Sequence, residues 1–233
     1  MNKSAIIFDL DGTLIDTPRI IAESLSIILK KMGFLVNDVT SIKATIGLPL
    51  EEAFSKLMGV EKDNDKIPIA IKYYRTLFRE NILPEAEQLI FPSVAEGLKR
   101  LKSQGYSLAV ATSKIYSSAE ALLKAARLWD YFEIVVGADQ VTQAKPHPEM
   151  GQLIIKKLKI PAAHIAMVGD TTHDILMGNN CGMYTIAVTY GVHDVEKLKS
   201  AKPTWLAETF DEVLECIDDS KILLSQFVAF PIE

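Results

Sequence analysis

The chain has 233 residues, 48% of them apolar and 24% charged, with a formal net charge of −5. That length suits one large domain or a domain carrying a smaller insert, and the composition is that of an ordinary globular protein. The acidic balance argues against a nucleic-acid partner, and no apolar run nears the roughly 18 residues of a membrane span. A short apolar run before Asp9 argues against a signal peptide. Cys181 and Cys216 have no metal-ligand spacing and read as reduced thiols of a cytoplasmic protein.

Apolar residues 5–8 signal a short buried strand, which runs into Asp9 and Asp11. Gly12 follows, free to turn the chain or to let a ligand approach closely. Pro18 suits the first turn of a helix, and Ile20, Ile21, Leu25, Ile28, Leu29 and Met32 recur at helical spacing up to Gly33. A second helix runs from Pro49 towards Gly59, and a third from Asn64 to Asn81 with Ile67, Ile71, Tyr74 and Phe78 on one stripe. Tyr73, Tyr74 and Phe78 read as packing between these helices. Arg75 and Arg79 could reach an anionic substrate, though solvated positions are the plainer reading. No strand is expected between residues 18 and 84.

Beyond Pro84 strands and helices alternate. Ser93 with Glu96, Ser117 with Glu120 and Thr209 with Glu212 have the spacing of capping boxes opening three helices. Strands are expected at 108–111, 133–136, 165–168 and 184–188, with helices at 149–158 and from after Asp174 to Gly182. This alternation predicts an α/β protein: a parallel sheet covered by helices on both faces. The apolar stretch 222–233 is left undecided between docking on the core and docking on a partner.

Strands that are parallel in one sheet bring their ends to one edge. Asp9, Asp11, Thr112, Lys145, Asp170 and Asp174 therefore meet. Clustered carboxylates repel and raise one another's pKa values. A hard divalent cation held by oxygen donors, Mg²⁺ above all, relieves that repulsion. Lys145 and Thr112 add a positive charge and a donor suited to a phosphate dianion. Asp9 is placed to attack phosphorus. Asp11 is placed to protonate the leaving alcohol and then deprotonate water, a role that needs low solvent access just outside the metal shell.

The run Asp9-Leu-Asp-Gly-Thr-Leu-Ile-Asp16 resembles the first motif of the haloacid-dehalogenase-like hydrolases. Thr112-Ser-Lys resembles their second, Lys145-Pro-His-Pro-Glu149 their third, and Gly169-Asp-Thr-Thr-His-Asp174 their fourth. The order and spacing hold over nearly the whole chain. The resemblance implies a Rossmann-like core of residues 1–16 and 85–233 with a small all-helical cap, 17–84, inserted after the first strand. It is similar in this to the phosphoglycolate-phosphatase-like members, with 46–52 matching their cap substrate loop. It further implies aspartyl-phosphate chemistry at Asp9 and Mg²⁺ bound by Asp9, the Asp11 carbonyl and Asp170, with Asp174 direct or through water. Gly12, Thr13, Thr112, Ser113 and Lys145 would hold the substrate's phosphate. The implied partner is a small phosphorylated metabolite, and the implied assembly a monomer or homodimer. Phe91-Pro-Ser93 and Gln143-Ala144 depart from the family pattern without touching the reacting groups. Asp11 argues against a dehalogenase, and no lysine is identifiable as that of a phosphonate hydrolase. A phosphoglucomutase-like transferase and a catalytically silent binding protein are the remaining alternatives.

Overall fold

The computed structural model describes residues 3–35 and 38–219; the apolar stretch 222–233 lies outside them. Six strands form one parallel sheet: β1 (Ala5–Phe8), β2 (Ser107–Ala111), β3 (Ile134–Val136), β4 (Ile165–Gly169), β5 (Tyr184–Val188) and β6 (Trp205–Ala207). Their order is β3-β2-β1-β4-β5-β6, the doubly wound order of a Rossmann-like sheet. The chain lays β2 and β3 on one side of β1, then crosses to place β4 on the other. The crevice between β1 and β4 is thus the switch point at which ligands of such sheets bind.

β1, β2 and β4 are buried along their whole length, which is why their sequences are unbroken apolar runs rather than alternations. The two-residue period of β1 divides it between two cores. Ile6 and Phe8 face the larger, with Leu98 and Leu101 of α5 (Val94–Ser103) and Val213 and Ile217 of α10 (Phe210–Asp219). Ala5 and Ile7 face the smaller, with Met150 and Ile154 of α7 (Glu149–Leu158) and Met177 of α8 (Thr172–Cys181).

Between β1 and α5 the chain is helical: α1 (Pro18–Lys31), α2 (Val39–Lys43), α3 (Leu50–Met58) and α4 (Lys66–Leu77). The stripe Ile67, Ile71, Tyr74 and Phe78 is buried as its spacing predicts. The single helix expected to Asn81 instead widens to a π-helical turn at Phe78–Ile82 and tightens to a 3₁₀ turn at Leu83–Glu85. Pro84, which lacks an N–H, cannot continue an α-helix, and the wide turn keeps both Phe78 and Ile82 buried.

Helix starts differ from their sequence signals. Ser93 has a left-handed backbone (φ 63°), and its hydroxyl donates to Asp211 Oδ2 at 2.9 Å rather than capping α5. Helix α6 (Tyr116–Ala125) starts one residue before Ser117 without a side-chain cap. Thr209 does cap α10, accepting the Glu212 N–H at 3.2 Å. α2, α9 (Val195–Ser200) and β6 carry patterns too short to read locally. Among the described residues no helix is long and apolar enough to cross a membrane.

Candidate active site

Register sets the level of the site. Phe8 pairs with Val110 on one side and Val168 on the other, and the Asp9 N–H donates to the Val168 carbonyl at 2.9 Å. Asp9 therefore leaves the sheet beside Ala111-Thr112 and Gly169-Asp170, in the crevice at the switch point. Asp9, Asp170 and Asp174 are all buried, and each offers an oxygen within 4.8 Å of the others. Such a set of oxygen donors fits a hard divalent cation.

Lys145 ties this cluster together. Its ammonium donates to Asp9 Oδ1 at 2.9 Å, Asp174 Oδ1 at 2.5 Å and the Ala111 carbonyl at 3.0 Å. Burial opposes its charge, but Asp174 and Asp9 outweigh that and hold its pKa above the usual lysine value. Burial pushes the Asp9 carboxyl up to about 7; Lys145 opposes the rise and Asp174 adds to it. Asp170 is raised well above the carboxylate range by burial, then by Asp9 and Asp174. Three acids against one ammonium leave excess negative charge in a dry place. That is the electrostatic state a cation relieves.

Each acid is oriented by its own partners. Asp170 accepts the Thr13 hydroxyl at 3.0 Å and the Val192 N–H at 2.8 Å. Asp174 lies in the first turn of α8, not before it, and its Oδ2 accepts both the N–H and the hydroxyl of Thr171. Asp11 points elsewhere: it accepts the Thr17 hydroxyl and forms an ion pair with Lys114 at 3.0 Å. Its carboxylate is largely shielded and lies outside the three-acid cluster.

The other residues expected at the phosphate have partners within the chain. The Thr13 and Ser113 hydroxyls are engaged, the first with Asp170 and the second with the Gly47 carbonyl at 2.7 Å. The Gly12 N–H donates to Ile15 O at 2.9 Å, and a Cβ there would lie 2.2 Å from Asp170 Oδ2, so Gly12 leaves room for that carboxylate. The Thr112 hydroxyl is buried and accepts the Lys114 N–H at 3.2 Å. His173 packs near Gly47 with a buried Nδ1 that has no hydrogen-bond partner among the described residues, and burial lowers its pKa.

Two groups were not singled out from sequence. Lys114 bridges Asp11 and the helical insert, its ammonium 5.0 Å from the centre of the Phe78 ring. Burial opposes its charge, yet Asp11 raises its pKa above the ordinary value. Gly191, after β5, packs so closely that a Cβ would sit 2.3 Å from Asp170 Cβ. The strand-end rule that marked the other residues would have marked this loop too. Above Asp9 the site opens into a small cavity of ≈ 70 Å³ walled by Leu25, Ile46, Tyr74 and Phe78 of the insert and by Thr112 and Lys114. Tyr74 and Phe78 thus line the site as well as packing the insert.

A switch-point cluster of buried acids and a lysine on a doubly wound sheet defines a hydrolase-type site of the haloacid dehalogenase-like kind. A model of the haloacid dehalogenase-like hydrolases matches residues 6–188, and the chain belongs to that family. It is 50% identical over 212 residues to the probable phosphatase IndB of Dickeya dadantii, covering 91% of this chain and 92% of that one. It is 32% identical over 222 residues to the pyrophosphatase PpaX of Oceanobacillus iheyensis, covering 94% and 99%. Its fold matches a structure described as a predicted phosphoglycolate phosphatase from Haemophilus somnus with a TM-score of 0.83 at 25% identity, covering 93% and 99%. The chain is an enzyme of the hydrolase class, and these relatives are phosphatases by name.

Proposed function

We propose that the chain is a Mg²⁺-dependent phosphatase that hydrolyses a small phosphorylated metabolite, of the phosphoglycolate kind, through a phosphoryl group carried on Asp9. The observation that carries this reading is the knot of Asp9, Asp170 and Asp174 around Lys145 at the switch point. Asp9, the Asp11 carbonyl and Asp170 would hold the ion, with Asp174 direct or through water. When bound, the ion supplies positive charge that offsets repulsion between carboxylates and phosphate.

Asp9, held in one orientation by Lys145, attacks phosphorus in line with the departing alcohol. The Lys145 ammonium and Thr112 hydroxyl stabilise charge on the moving phosphoryl group. Asp11 protonates the departing alcohol and later takes a proton from the attacking water; Lys114, at 3.0 Å, stabilises its carboxylate between those events. With their hydroxyls engaged, Thr13 and Ser113 would serve the phosphate through backbone N–H groups.

Residues 17–84 act as a cap on a core of 1–16 and 85–233. The Ser113–Gly47 bond and the packing of Phe78 on Lys114 support that reading, and closure keeps bulk water from the reaction. A cytoplasmic location belongs to the same proposal, on the strength of two free cysteines.

Phosphate release over a panel of phosphorylated metabolites and inorganic pyrophosphate, with Mg²⁺, with EDTA and with Asp9→Asn, tests the reading. Turnover surviving EDTA or the substitution refutes the mechanism. No turnover of any ester favours a silent binding protein, and isomerisation without phosphate release marks a phosphoglucomutase-like transferase.

A further inference from the structure

The cavity above Asp9 is small, ≈ 70 Å³, and it is not closed off on the side of the helical insert. The cavity shares Glu51, Arg75, Phe78, Ile115 and Ser118 with an open groove of ≈ 710 Å³ between the helical insert and α6.

The charge of that groove is opposite to that of the whole chain. Lys62, Lys72, Arg75 and Arg79 line it against one acid, Glu51, in a protein of net charge −5. Lys62 is paired with Glu52 at 3.1 Å. Among the described residues, no carboxylate lies within 4.0 Å of the charged groups of Lys72, Arg75 or Arg79. Ile71, Phe78 and Ile115 give the groove an apolar floor. Three unpaired cations around an apolar path focus potential towards the catalytic mouth, and arginine's planar fork matches carboxylate and phosphate alike.

We propose that this groove is a second anion subsite. Resting on the phosphatase reading, it implies a substrate whose leaving group passes Phe78 and carries a further carboxylate or phosphate, received by Arg75 and Arg79. The phosphoryl group to be transferred occupies the inner cavity; the distal anion stays in the partly wet groove.

The test compares kcat/KM in Mg²⁺ for alkyl phosphates with ω-carboxyalkyl and ω-phosphoalkyl phosphates of matched chain length, in the wild type and in an Arg75→Gln/Arg79→Gln double variant. The anionic esters should be favoured about tenfold, mainly through KM, as one charge-assisted contact predicts. The double variant should lose that ratio, and added salt should reduce it in the wild type. The larger of the two advantages names the distal group. Equal kcat/KM for neutral and anionic esters, or a double variant that lowers both without changing their ratio, overturns the subsite alone. Failure to hydrolyse any ester overturns the phosphatase reading, and the subsite with it.

Discussion

Asp9→Asn exchanges a buried carboxylate for a neutral amide of the same shape, and so separates the stability of the site from its chemistry. Asp9 titrates at about 7 in the folded protein against 3.8 when exposed, with burial the main cause. The native state therefore holds this proton more tightly than the unfolded chain. In the absence of metal, stability falls as pH rises from about 4 through about 7, by up to about 1.4 kcal/mol per pH unit from this one group. By pH 8 the accumulated cost is on the order of 4 kcal/mol. Asparagine does not ionise and can still accept from Lys145, so the variant avoids most of that cost. A gain of at least about 2 kcal/mol at pH 8 in EDTA raises Tm by roughly 4–8 °C for a chain of this size. The gap should close towards pH 4, where wild-type Asp9 is itself protonated. Saturating Mg²⁺ at pH 8 should stabilise the wild type by about 2.7 kcal/mol at a hundred times Kd and the variant far less. Thermal unfolding from pH 4 to 8, with and without EDTA, measures all of this. A variant less stable than wild type at pH 8 in EDTA, or a gap that does not change with pH, refutes the electrostatic account.

Lys145→Met leaves Asp9 and Asp174 without their shared cation; unfolding in denaturant at neutral pH should show a loss of about 3–5 kcal/mol, and a loss below about 1 kcal/mol would contradict the charge balance described. Lys114→Met removes the ion pair from Asp11 while leaving the metal donors in place. kcat should fall about ten- to a hundredfold with Mg²⁺ affinity unchanged, and an equal fall in affinity would place Lys114 in the metal site instead. Gly191→Ala pushes a Cβ against Asp170; overpacking of this kind costs about 1–3 kcal/mol, and Mg²⁺ titration should show weakened binding. Unaltered binding would mean that the loop after β5 does not position Asp170.

Much of this protein was legible in its sequence. Buried apolar runs that end in Asp9, Thr112 and Asp170 have no use for those polar ends in packing, and alternation with helices makes the strands parallel. Parallel strands share one carboxyl edge, so the meeting of Asp9, Thr112, Lys145, Asp170 and Asp174 follows from pattern alone. Pattern also gave the buried stripe of α4, because a 3.6-residue period states which face is inside.

What each side chain does at that edge was decided only by tertiary structure. A strand's two-residue period says which side a residue leaves from, not which of several donors its oxygens meet. Thr13 reaches Asp170 across 157 positions of sequence, and Lys145 reaches Asp9 across 136. Ser93 has the local spacing of a helix cap, and the family resemblance implies a phosphate contact for Ser113, yet Asp211 and Gly47 arrive from distant segments and accept their hydroxyls. Asp11 shows the same thing most plainly. It stands two residues from Asp9 in a motif of acids, but its carboxylate pairs with Thr17 and Lys114, outside the cluster of Asp9, Asp170 and Asp174, and lines the cavity beneath the helical insert.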